Sequence, residues 1–219
     1  EALEKVSSVK SIKTTRFKSD SFHFEKGNLV CPDLTHLLLY LHNRDDYFGE
    51  YSVWEYQGDS LAQLLKMGSG NTTQGVLFKD VNGDGYQDFL MEGYATTGSG
   101  EKYFNEVYLY NPRSHTFDYI DGLGMNPHFY PLKGIVTCYY NPGTKFSAEK
   151  YRLNWNQLEL LEEVELQLRG MIEGTEKMDC VRKIYRFRKG EKYLFRKDRG
   201  CDFPPEYKHY EELVPPETN

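Results

Sequence analysis

The residues with the clearest chemistry are the oxygen donors of one stretch, Asp80-Val81-Asn82-Gly83-Asp84-Gly85-Tyr86-Gln87-Asp88. Asp80, Asn82, Asp84 and Asp88 recur at alternating and closing places along it, and the Tyr86 carbonyl fills the gap between the last two. Calcium takes about 6–8 oxygen ligands at about 2.3–2.6 Å, and a tight loop with donors at alternate places can supply most of them. Gly83 and Gly85 permit the sharp bends that wrap a chain around an ion. Three carboxylates this close in sequence repel one another unless a cation sits among them. A helix-loop-helix calcium site would carry a bidentate Glu where this chain has Met91. The loop is flanked instead by the apolar runs Val76-Leu77-Phe78 and Phe89-Leu90-Met91, so it is expected to join two strands. The plainer reading is an acidic turn, because Asn-Gly and Asp-Gly are ordinary turn residues.

A second candidate is the polar, Gly-rich connection Thr96 to Lys102 and the residue that follows it. The Ser99 hydroxyl, the backbone at Gly100, Lys102 and the Tyr103 ring could engage carboxylates in a partner's groove. A hairpin loop with Tyr103 packed on the sheet is the alternative. No other constellation points to catalysis. The histidines His23, His36, His42, His115, His128 and His209 lack the close spacing of a helical zinc motif. Gly68-Ser69-Gly70 and Gly98-Ser99-Gly100 fall short of a nucleophile elbow, and no acidic pair stands out as a glycosidase dyad. The chain is therefore read as non-enzymatic. Trp54, Trp155 and nearby tyrosines are read as core residues that could also stack on sugars.

These residues must be positioned by strands. Strand-like runs are expected at 10–18, 21–26, 34–42, 50–57, 75–80, 88–95, 103–110, 115–120, 133–141, 148–155, 158–168, 181–189 and 192–198. Turn signals such as Asn111-Pro112-Arg113-Ser114 and Asn141-Pro142-Gly143 separate them. Short strands at even spacing indicate an all-β fold, an antiparallel sandwich or a propeller-like sheet array. Ser60 to Lys66 reads as a turn or two of helix. One domain is expected over 1–203, followed by a Pro/Glu-rich tail over 204–219.

The cysteines are Cys31, Cys138, Cys180 and Cys201, with no CxxC pair and so no zinc signature. Residues 181–200 read as a hairpin turning at Gly190-Glu191. Such a turn places Cys180 directly opposite Cys201, at a separation a disulfide can bridge. A bridge would imply an oxidising compartment. Cys31 and Cys138 could form a second bridge, which nothing in their flanks tests. The same hairpin is rich in Lys and Arg, which suits a sheet edge protected by charge or a patch for an acidic partner.

A net charge of -6 argues against a general nucleic-acid binder. Aromatic residues make up 15% of the chain, which favours strands. No apolar run is long enough for a membrane span. The chain opens at Glu1 without Met and reads as a mature or trimmed form, expected in the periplasm or at the cell surface.

The loop from Asp80 to Asp88 resembles the calcium loops of FG-GAP repeats in integrin-like propellers, although a single copy is present. Over residues 75–160 the chain resembles the bacterial periplasmic family of invertebrate-type lysozyme inhibitors and immunity proteins against secreted lysozyme-like effectors. The shared pattern is strand, acidic loop, strand, Gly/Ser loop and Tyr-rich strand. Here these are Val76 to Lys79, Asp80 to Asp88, Phe89 to Ala95, Thr96 to Lys102, and Tyr103 to Tyr110. Gly83 stands where that family often has an aromatic residue. The resemblance implies a structural Ca2+, and it implies that Ser99-Gly100-Glu101-Lys102-Tyr103 enters the cleft of a lysozyme-like cell-wall hydrolase. The second functional reading is a glycan-binding or structural cell-envelope lipoprotein.

Overall fold

The computed structural model describes residues 10–11, 15–17, 20–43, 48–70, 73–94, 103–140, 145–171, 173–174, 178–204 and 207. The fold is all-β and antiparallel throughout, in three sheets. The first comprises β1 (Lys10–Ser11), β2 (Thr15–Phe17), β3 (Asp20–Gly27), β4 (His36–Asn43), β5 (Phe48–Gln57) and β6 (Ser60–Ser69). The second runs in the order β10, β9, β8, β7, with β7 at Thr73–Lys79, β8 at Asp88–Tyr94, β9 at Tyr103–Asn111 and β10 at Thr116–Tyr119. The third is a meander of β11 (His128–Tyr130), β12 (Ile135–Tyr140), β13 (Lys145–Asn154), β14 (Gln157–Met171), β15 (Met178–Arg188) and β16 (Glu191–Arg199).

Contacts divide the chain into two compact units, residues 1–93 with 106–119, and residues 94–105 with 120–219. The boundaries between the units fall at the end of β8, inside β9 and after β10. In the first unit the two sheets face each other across one core. Leu38, Tyr51, Val53 and Leu64 from one sheet join Phe89, Met91 and Tyr110 from the other. Period-two alternation delivers these residues to one face: Tyr51 and Val53 point inward, and the paired Tyr40 and Leu38 lie beside them.

The stretch Ser60 to Lys66 is strand β6 and not helix. Leu65 pairs with Val53 and Gln63 with Trp54, so Leu64 is the extra residue of a β-bulge. That insertion puts two leucines side by side and gives Leu61, Leu64 and Leu65 a spacing that imitates a helix. Strand β11 was not expected either. It is three residues long and bounded by Pro127 and Pro131, with a 3-10 turn at Pro131–Lys133 after it.

In the second unit the six-stranded sheet buries Ala148, Val164, Leu166 and Ile184 under Phe203 and Tyr207. Tyr207 donates its hydroxyl to the buried Glu162, which also meets Arg186 Nε at 3.1 Å. The disulfide Cys180–Cys201 is formed, with the Cα atoms 5.0 Å apart. The turn lies one residue earlier than expected, at Lys189-Gly190, both with positive φ as a type I′ turn requires. A bulge between Ile184 and Tyr185 then shifts the register back toward the cysteines. Cys31 and Cys138 are free thiols, both buried.

Arg182, Arg186, Lys192 and Arg196 of the β15–β16 hairpin are in ion pairs. Arg182 grips Asp198 with two hydrogen bonds, Lys192 reaches Glu163 at 2.8 Å, and Arg196 Nε lies 2.7 Å from Asp198. Strand β16 ends the sheet, so these charges line an edge. No helix among the described residues is long and apolar enough to cross a membrane.

Candidate metal centre

The acidic loop closes the β7–β8 hairpin, whose last pairs are Phe78 with Phe89 and Lys79 with Asp88. Its shape follows from side chains folding back on the backbone. Asp80 accepts hydrogen bonds from the Gly83 and Gly85 N–H groups, at 2.6 and 2.9 Å. Asn82 Oδ1 accepts from Asp84 N–H, and Asp84 Oδ1 from Tyr86 N–H. Gly83 and Gly85 sit at φ 82° and 89°, where an L side chain would be strained. The loop is thus a series of tight turns with its carboxylates on the inside of the bends.

Asp88 is the anchor. It is fully buried, accepting from Val81 N–H at 2.9 Å and from Tyr110 N–H on β9 at 3.0 Å. Its carboxyl is raised to about 7: burial is the main cause, the charges of Asp84 and Asp80 add to it, and the two N–H donors oppose it. The loop is tied to the other sheet of its unit by Gln87 N–H donating to Val30 carbonyl at 2.7 Å, and Tyr86 rests against the Tyr110 ring.

Asp80, Asn82, Asp84 and Asp88 carry hard oxygens, the donor type that calcium takes, on a glycine-bent chain. In the conformation seen, no three His, Cys, Asp or Glu side chains among the described residues are grouped to hold a metal. Asp84 Oδ2 is turned to Asn82 Nδ2 at 3.0 Å. Asp84 is exposed, and each carboxylate oxygen keeps a second lone pair after accepting an N–H. Side-chain rotation at Asp84 and Asn82 is the adjustment an ion would require.

Of the expected partner loop, Ser99 and Gly100 lie outside the described residues. Tyr103 opens β9 with its ring half exposed and set edge-on to Tyr94. Its backbone is held by Asn126 through two hydrogen bonds: Tyr103 N–H donates to Asn126 Oδ1, and Asn126 backbone N–H donates to the Tyr103 carbonyl.

Sequence reading missed a buried polar cluster in the first unit. His36 and Glu55 are directly paired across β4 and β5, and both are buried. Glu55 Oε2 lies 3.1 Å from His115 Nδ1, and the Tyr110 hydroxyl lies 3.3 Å from the same nitrogen. His115 adopts φ 53° in the turn after β9, uncommon for a residue other than glycine. Among the described residues neither ring nitrogen of His36 has a hydrogen-bond partner, and its Nε2 is 4.0 Å from Glu55. Burial holds His36 below the ordinary imidazole range against the pull of Glu55. The signal was present in the sequence: Glu55 shares the inward period of Tyr51 and Val53.

No protein-family model matches the chain, and no curated protein matches it in sequence; the lysozyme-inhibitor resemblance gains no support from either comparison. Among solved structures the fold is similar to that of a Xanthomonas type IV secretion system related protein, with 13% sequence identity over 84% of this chain and 93% of that one, and a TM-score of 0.47.

Proposed function

We propose that this chain is an exported, non-enzymatic binding protein whose β7–β8 hairpin is pinned by one calcium ion at Asp80, Asn82, Asp84, the Tyr86 carbonyl and Asp88. The observation that supports this reading is the glycine-bent loop whose Asp80, Asn82 and Asp84 side chains fold back on its own backbone, at a hairpin end anchored by the buried Asp88. The Cys180–Cys201 bridge supports an oxidising, extracytoplasmic setting. There, millimolar calcium fills even weak sites. The partner on this reading is a lysozyme-like cell-wall hydrolase, approached by the segment 96–103, with Ser99, Gly100 and the half-exposed Tyr103 as contacts. That choice rests on the Ser-Gly loop in the sequence.

Thermal unfolding of chelator-treated protein, with and without calcium, tests the ion. Calcium at about 100 times its Kd would add ~2.7 kcal/mol of stability. The rise in Tm is expected to vanish in Asp84→Ala. An unchanged Tm at millimolar calcium removes the ion from the proposal. Inhibition assays against a panel of lysozymes test the partner separately, and activity unaffected at micromolar protein rejects it.

A second reading, a glycan-binding envelope protein, is favoured by one feature: polar side chains on the inner face of the first sheet, beside stacked tyrosines.

A further inference from the structure

Between the two sheets of the first unit lies a half-open cavity of about 450 Å³. Its floor is the inner face of β3, β4 and β5, and its far wall is β7. Register decides what points into that space. His23 pairs with Tyr40, which pairs with Tyr51; Glu25 pairs with Leu38, which pairs with Val53. Directly opposed residues share a face. Tyr51, Leu38 and Val53 belong to the core, so His23 and Glu25 are polar side chains on the core side of their sheet.

Among the described residues, His23 Nε2 is buried with no hydrogen bond, and the Glu25 side chain makes none. At the end of the cavity stand Asn28 and Gln87. Asn28 spends both amide hydrogens on the Pro32 and Leu34 carbonyls, which leaves its Oδ1 as an acceptor. The apolar side is aromatic: Tyr40 stacks on Tyr51 with ring centres 4.3 Å apart, and Phe78 faces them from β7. A buried polar atom such as His23 Nε2 is seldom left unsatisfied in a native interior unless water or a ligand completes it, and Glu25, Asn28 and Gln87 stand beside it at the cavity.

The geometry points to this cavity as the binding site for a saccharide unit, with the tyrosine and phenylalanine rings against its C–H face and His23, Glu25, Asn28 and Gln87 on its hydroxyls. A hydrocarbon ligand would strip water from the four polar groups and give nothing back. A sugar ring presents apolar C–H and paired hydroxyls together, matching an aromatic wall beside planar acceptors and donors. The volume lies within the usual range for small-molecule sites, about 300–1,000 Å³. This assignment builds on the glycan reading and gives it a place; it is independent of calcium and of the hydrolase partner.

Saturation-transfer NMR on the full chain with methyl glucoside, methyl galactoside and methyl N-acetylglucosaminide tests it, with circular dichroism to confirm folding of each variant. At least one glycoside is expected to receive transfer at its ring protons. Glu25→Gln, which trades a charged acceptor for a neutral one, and Gln87→Ala, which removes a hydrogen bond, are each expected to weaken that binding by roughly tenfold. Glu92→Gln, on the exposed side of β8, should leave it unchanged. His23→Asn, which keeps a polar group there, provides a second variant at the site. Binding that Glu25→Gln and Gln87→Ala do not weaken would overturn the site while leaving glycan binding elsewhere on the protein. No transfer to any of the three at about 10 mM would overturn both site and glycan reading. Tighter binding of decanoate than of any glycoside would mark the cavity as an apolar site and reject the proposal.

Discussion

His36 and Glu55 show how a single buried pair makes stability depend on pH. His36 is fully buried, and burial lowers its affinity for a proton relative to the ordinary value of 6.5. Unfolded chains take up that proton more readily, so stability falls as pH drops below about 6.5. Glu55 acts in the same direction. Burial pushes its carboxyl up, but the hydrogen bonds from Gln57 and His115 and the two histidine charges outweigh it, and the net shift is downward from 4.5. Its contribution is full above 4.5 and is lost as pH falls through the lowered value. The groups facing the pair are His115, Tyr110 and the Cys31 thiol. A Tm series from pH 7.5 to pH 4 is expected to fall steadily on the acid side of about 6.5. Because the ring of His36 makes no well-formed hydrogen bond among the described residues, His36→Leu should be neutral or stabilising at pH 7, in line with replacing an unsatisfied polar group by an apolar one. It should also flatten the curve between pH 6.5 and 5. A variant that loses more than about 2 kcal/mol at pH 7 would show that His36 has a partner in solution.

Most elements were legible because alternation is a strong signal. The hairpin at the acidic loop followed from two apolar runs around a glycine-rich turn, and the structure pairs Phe78 with Phe89 there. What failed were places where the period is broken. Leu64 bulges out of β6 and disguises a strand as a helix; β11 is too short between two prolines to show a period. The disulfide was legible although the turn was misplaced by one residue, because a downstream bulge restores one of the two register steps and leaves the cysteine Cα atoms 5.0 Å apart. The cavity was not legible, since it depends on which strands face each other. Close backbone approach matters at the same scale. A Cβ on Gly49 would stand 2.5 Å from Tyr40 Cε2 and 2.8 Å from Ser69 Oγ. Gly49→Ala must therefore tilt the Tyr40 ring off Tyr51. It is expected to cost about 1–3 kcal/mol, as overpacking does, and to weaken saccharide binding with it. Chemical denaturation and the same NMR titration measure the two effects; unchanged stability would mean that Tyr40 is free to rotate away.

At the scale of the whole molecule, the two units carry different stabilising devices. The acidic loop lies in the first unit and the Cys180–Cys201 bridge in the second. The bridge spans 21 residues of sequence, and closing a loop of that order constrains the unfolded chain by ~3 kcal/mol. Each unit has its own buried core. Calcium and reductant should therefore act on separate sets of amides. Hydrogen exchange resolves them, because local openings report the stability of each region. Added calcium is expected to slow exchange across β7, β8 and at Tyr110, whose N–H bonds Asp88, while leaving β14 and β15 unchanged. Reduction of the disulfide is expected to speed exchange in β15 and β16 and to spare β7 and β8. Uniform protection of both units by calcium would instead mean that the chain opens as one cooperative body, coupled through β9, which contributes residues to both.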